Sequence, residues 1–231
     1  MAHLGAGATA ARGYLSTSTW ALIHRLDQSR ALLVQAAGEG DRLAMTEQLD
    51  QIVLSLAAWA GLVAESVVRG PAWRFLDLGR RLERAVTVSN LVEAMATAEV
   101  DEAVVQPVNE TLLAACESLV VYRRRYRSDV DPAMVARLLL ADRSNPRSVG
   151  FQLERAIEDL LALPPRPPTA ALVGQARGAL ERIGDGRSGA VRAPLLAARG
   201  AALAIAEGVV AEWFVHVGEA REVRGQRGRR P

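Results

Sequence analysis

The chain has 231 residues, half of them apolar but only 4% aromatic, and a formal net charge of +2. All 28 basic residues are arginine, which excludes Schiff-base lysine chemistry and the lysine of a phosphate-binding loop. Three histidines (His3, His24, His216) and a lone Cys116 offer no metal-ligand spacing and no internal disulfide, which suits a reducing, cytoplasmic setting.

The positive charge is local. Residues 221–231 carry five arginines and one glutamate, and the remaining body holds 23 basic against 25 acidic residues. That body has no nucleic-acid character on charge grounds, and the tail reads as disordered. Abundant Ala and Leu, with no sustained period-2 run, predict an all-α bundle of about seven or eight helices over 16–220, preceded by an extension over 1–15. The longest uncharged apolar run, 52–64, is shorter than the roughly 20 residues a bilayer requires, so no membrane segment is expected. The N-terminus also lacks a basic leader region.

In chain order, the hydroxyls of residues 16–19 offer an N-cap for a first helix to about residue 37, with Leu22, Ile23, Leu26 and Leu33 inward and His24 an ordinary surface residue. Gly38 and Gly40 end it, and Asp41 caps a second helix over about 42–69. There Leu49, Ile52, Leu56, Trp59, Val63 and Val67 recur at bundle-seam spacing.

The third helix opens at Pro71, a residue suited to the first helical position, and runs to about residue 96. Phe75, Leu78, Gly79, Leu82, Ala85 and Val86 gather on one stripe, with Arg74, Asp77, Arg81 and Arg84 opposite. Asp77 is placed to pair with Arg81, and Arg80 with Glu83. On this phasing Glu83 projects about 90° from the stripe centre, at the margin of the core, and Arg84 points away.

A connection over 99–107 leads to a fourth helix over about 109–127, with Leu112, Ala115, Leu119, Tyr122 and Tyr126 inward. It carries the body's one charge run, Arg123, Arg124 and Arg125, a solvated face or a docking surface for an acidic group. Cys116 sits among leucines and reads as a core residue. Asp131 and Pro132 start a short helix to about residue 141, and Asn145-Pro146 opens another to about 163. A proline-rich linker over 164–168, a helix over 169–183 and a helix over about 194–217 follow, the last with Leu196, Leu203, Val210, Trp213 and Val217 along one face. The run from Gly184 to Gly189 matches a dinucleotide-site glycine pattern literally, but no strand precedes it, so it reads as a loop. Leu-Glu-Arg occurs at 82–84, 153–155 and 180–182, and Glu83 and Glu154 together form a candidate acid–base pair.

Taken together, Arg69-Gly-Pro-Ala-Trp-Arg-Phe-Leu-Asp-Leu-Gly-Arg-Arg-Leu-Glu-Arg-Ala85, Tyr122-Arg-Arg-Arg-Tyr126 and Asn145-Pro-Arg-Ser-Val149 with Phe151 resemble the alpha-E family of bacterial helical proteins, named for a Glu-Arg motif. Ala11-Arg12 and Ser16 to Trp20 are similar to the family's preceding helix boundary. The resemblance marks Trp73, Arg74, Asp77, Arg80, Glu83, Arg84, Asn145, Arg147 and Ser148. It implies a partner, a circularly permuted ATP-grasp protein, in a peptide- or amide-ligation system. ATP would enter only through that partner, and this chain would need no cofactor of its own. Family members usually begin with a further helical region, whereas only about a dozen residues precede the first matching stretch here. The resemblance therefore implies either a fragment or a short version whose missing helices another chain supplies, and an incomplete bundle would expose an apolar seam for self-association or a partner.

Overall fold

The computed structural model describes residues 13, 16–99, 101–127, 129–184 and 191–214. His216, most of the glycine-rich run after Gly184 and the arginine tail lie outside these residues. Among the described residues there is no strand, and nine α-helices and two π-helical segments carry the chain. It divides into two compact units, one up to Trp73 and one from Arg74.

The first unit is a hairpin of α1 (Thr17–Glu39) and α2 (Arg42–Ser66). Ser16 Oγ accepts the Thr19 amide at 3.2 Å and caps α1. Gly40, at φ 72°, ends it in the left-handed conformation that a Cβ disfavours. Asp41 Oδ1 then accepts the Leu43 and Ala44 amides at 3.1 and 3.0 Å. These three signals act as the sequence predicts. The seam expected along α2 does not. Ile52 and Val63 are buried, but Leu49 and Leu56 are exposed, and Trp59 and Val67 are half-buried. One partner helix covers only a narrow stripe, so Leu43 (73% exposed) and Val53 (63%) stay in solvent. By length and composition α2 could cross a membrane, as could the segment Arg192–Phe214. The uncharged-run measure misses both, because such windows tolerate one or two charges.

The second unit starts within α3 (Pro71–Thr97) and continues through α4 (Glu102–Ala115), α5 (Leu119–Tyr126) and α6 (Pro132–Ala136). A π-helical segment, Arg137–Ala141, extends α6, and α7 (Val149–Ala162), α8 (Thr169–Ile183) and α9 (Arg192–Val209) complete the bundle. One core joins them, with Leu82 and Ala85, Leu113, Tyr122, Leu138, Leu153, Ala176 and Ile205 among its members.

Three expectations need correction. The predicted helix over 109–127 is two helices, and Pro107 lies inside α4 rather than in a linker. The break comes at Glu117, a non-glycine residue at φ 51°, and it is stabilised from both sides. The Ser118 amide donates to Leu113 O at 2.8 Å, and Asn145 Nδ2 donates to Ser118 Oγ at 3.2 Å. Next, α7 starts at Val149 and is capped by Ser148, whose Oγ accepts the Phe151 amide at 3.1 Å, so Asn145 belongs to the turn before it. Finally, α9 buries Leu195, Ala198, Ala201, Ala202, Ile205 and Val209, while Leu196, Leu203 and Val210 are exposed. Its small residues permit close approach to α8, where a Cβ on Gly208 would already meet Leu172 Cδ1 at 3.0 Å.

Candidate functional site

The buried stripe of α3 is Leu78, Leu82, Ala85, Val88, Ser89 and Val92, together with Asp77. Its centre lies at Ala85, displaced from the phase predicted by including Phe75, Gly79 and Val86. The displacement reverses two expectations. Arg84 is half-buried and Glu83 is exposed, and Asp77 is in the core rather than opposite it. The expected Arg80–Glu83 pair is replaced by Arg80–Asp77, while Asp77 Oδ2 accepts from Arg81 Nε at 3.1 Å as predicted.

Asp77 is 3% exposed and Asp159, on α7, 2%. Arg74 Nη1 donates to Asp159 Oδ1 at 2.8 Å, and Arg81 Nη1 donates to the buried Gln152 Oε1 at 3.4 Å. Burial favours the neutral form of both carboxyls, and their surroundings then separate them. For Asp77 the Arg81 and Arg80 guanidiniums outweigh burial and hold the pKa below the usual carboxylate value. For Asp159 burial and the neighbouring Asp77 carboxylate outweigh Arg74, and the pKa is pushed up to about 6. Asp159 Oδ2 is buried without a hydrogen-bond partner among the described residues, which adds to the cost of ionising this carboxyl. This pair anchors α3 to α7 and is closed to solvent.

Outward of Arg80 the same helix borders an open cleft of about 250 Å³, lined by Arg80, Glu83, Arg84, Thr87, Val88 and Leu91 on α3, by Ala115 and Cys116 at the α4 break, and by Arg147. Arg147 enters from the turn before α7. Asn145, 3% exposed, donates to Ser118 Oγ and Leu138 O at 3.2 Å each, and its Oδ1 accepts the Arg147 amide at 3.0 Å. Ser148 Oγ donates to Asp142 O, and Gln152 Nε2 to Pro146 O. The Asn145–Ser148 turn is thus fixed at each residue by the core beneath it and presents a guanidinium toward Arg84. Among the described residues neither Arg84 nor Arg147 has a carboxylate partner. Burial and the like charges of Arg147, Arg80 and Arg81 hold the Arg84 pKa below the ordinary arginine value. Cations held together in this way are compensated when an anion enters. Cys116 offers no nucleophile, since burial pushes its thiol up against a smaller opposing effect of Arg147.

The other residues marked in the sequence lie elsewhere. Trp73 stacks beneath Arg69, 4.1 Å from guanidinium to ring centroid. Arg123 pairs with Glu110 at 3.5 Å, Arg125 binds Asp142 and Ser144 Oγ, and all three residues of the run, Arg124 included, are exposed. Glu154 pairs with Arg143 at 3.3 Å and is not in the cleft lining, so the arrangement does not join it to Glu83. Asp159 and Gln152 were missed. Their seven-residue spacing puts two polar side chains on the core face of α7, and that pattern is visible in the sequence.

Fold and cleft define a helical bundle in which one Glu-Arg pair of three, Glu83-Arg84, borders an arginine cleft. The chain belongs to the Alpha-E family, whose model, described as "a predicted alpha-helical domain with a conserved ER motif", matches residues 1–206. It is 34% identical over 164 residues to uncharacterised proteins of Mycobacterium bovis and of Mycobacterium tuberculosis. The matched stretch covers 70% of this chain and 18% of those relatives, so the chain spans under a fifth of their length. No solved structure matches it.

Proposed function

We propose that the chain is a non-catalytic accessory domain whose arginine cleft holds a carboxylate or phosphate group for an ATP-grasp partner in a peptide- or amide-ligating system of the cytoplasm. The observation that carries this reading is the convergence of Arg84 and Arg147, without carboxylate partners, on one open cleft. Two guanidiniums match the planar oxygen pairs of carboxylate and phosphate. ATP chemistry belongs to the partner, in keeping with a chain that has no lysine and a buried, protonated thiol. Light scattering behind size exclusion, on this chain alone and mixed with a circularly permuted ATP-grasp protein, tests the partnership. A defined complex is expected, and a monomer indifferent to the ATP-grasp protein contradicts it.

A second reading, an enzyme in its own right, draws on Glu83 at the cleft rim as an acid–base group. Loss of turnover in a folded Glu83→Gln variant with ligand binding intact would favour that reading. Loss of docking would favour the accessory role.

A further inference from the structure

We infer that the ligand of the cleft is a free α-amino acid with a small aliphatic side chain, held by its carboxylate on Arg84 and Arg147 and by its ammonium on Glu83. This deepens the anion-binding reading and rests on it.

The charge inventory is the first support. A site built only for phosphate or a simple carboxylate gains nothing from a carboxylate of its own, which repels the ligand. Yet Glu83 lines the same cleft as Arg84 and Arg147, is exposed, and has no ion-pair or hydrogen-bond partner among the described residues. Glu83 and Thr87 lie one turn apart on α3, as do Arg80 and Arg84, so the acceptor and the donors border one opening. A ligand carrying both charges on adjacent atoms satisfies both sets.

Size is the second support. A volume of about 250 Å³ lies just below the roughly 300–1,000 Å³ of pockets for drug-sized ligands and is enough to seat a single amino acid. The remaining wall is the third. Val88, Leu91, Ala115 and Cys116 are apolar or thiol-bearing, and among the described residues they add no charge for a polar side chain to meet. An aliphatic group on the ligand covers them.

The probes are L-valine, N-acetyl-L-valine, which lacks the ammonium, and L-valinamide, which lacks the carboxylate. Each is titrated by calorimetry into the full chain. Saturable binding of L-valine is expected, with both analogues at least about tenfold weaker, since each lost charge-assisted contact is worth a decade or more. Glu83→Gln, at an exposed helix position that tolerates Gln, should weaken L-valine about tenfold and leave N-acetyl-L-valine no weaker, since the lost carboxylate only repelled it. Arg84→Gln and Arg147→Gln should weaken both acids. If N-acetyl-L-valine binds as tightly as L-valine and Glu83→Gln changes neither, the dipolar ligand is wrong and the anion site stands. If neither acid binds the folded wild-type chain, both readings fall.

Discussion

The hairpin up to Trp73 and the bundle from Arg74 use similar helices to different ends. In the hairpin the capping signals are well formed, yet only Ile23, Leu26 and Ala36 on α1 and Ile52 and Val63 on α2 are buried apolar residues. In the bundle every long helix contributes fully buried side chains, and buried polar groups (Asp77, Asp159, Gln152, Asn145, Ser148) are tied into them. Helix ends are local and need no core. A fixed cleft needs one, because a guanidinium such as that of Arg147 is held in place only by a turn whose donors and acceptors are already used below it. The candidate site therefore lies in the half with the denser interior.

The contrast can be broken first by deleting core volume. Leu153→Ala, at a site with 0% exposure, is expected to cost about 2–5 kcal/mol, whereas Leu56→Ala, 42% exposed on α2, should stay within about 0.5 kcal/mol. Denaturant midpoints compare them, and equal losses would erase the distinction.

Acidity sharpens it next. Asp159 binds its proton more tightly in the folded chain, so its contribution is fully present below pH 3.8 and is lost as pH rises through about 6. Asp77 runs the other way, contributing above pH 3.8 and losing that as pH falls through its lowered folded value. Asp159→Asn removes the first effect while keeping an acceptor for Arg74. The variant should be more stable than wild type at pH 7.5, by up to about 3 kcal/mol, and should show a flatter stability profile between pH 4 and 7. A profile identical to wild type would contradict the raised Asp159 pKa.

Glycine substitutions give a smaller contrast of opposite sign. A Cβ on Gly150 would lie 2.9 Å from Leu140 O and 3.1 Å from Arg143 Nε, displacing an arginine bonded to Gly150 O and Leu180 O, so Gly150→Ala should destabilise by about 1–3 kcal/mol. Gly61 on α2 has nothing within 4 Å, and Gly61→Ala should stabilise by about 0.5–1 kcal/mol. The smallest effect belongs to the charge run, where Arg123→Gln at its exposed pair with Glu110 should change stability by less than about 0.5 kcal/mol.

Much of this architecture was legible in the sequence because its signals are local. Ser16, Asp41 and Asp131 cap where expected, Pro132 starts its helix, and α8 has the predicted bounds. What escaped depends on partners distant in the chain. Glu117 carries no glycine signal for its positive φ, and the contact that holds the break comes from Asn145. On α9 the larger apolar residues suggested the wrong face, because close packing against α8 selects alanines. On α3 a shift in helical phase exchanged the roles of Glu83 and Arg84, and with it the view of which one the core supports. Asp159 was passed over because a buried carboxylate is anticipated only when Arg74 and Asp77 are known to face it.

The central claim is that Arg84 and Arg147, and not arginines in general, receive an anion. Chemical-shift titration of the arginine Nε–Hε signals with L-valine tests it most directly, with exposed Arg124 as the internal control. The account predicts saturable shifts at Arg84 and Arg147 and none at Arg124. Equal, non-saturating shifts at all three, or shifts at Arg124 alone, would contradict it.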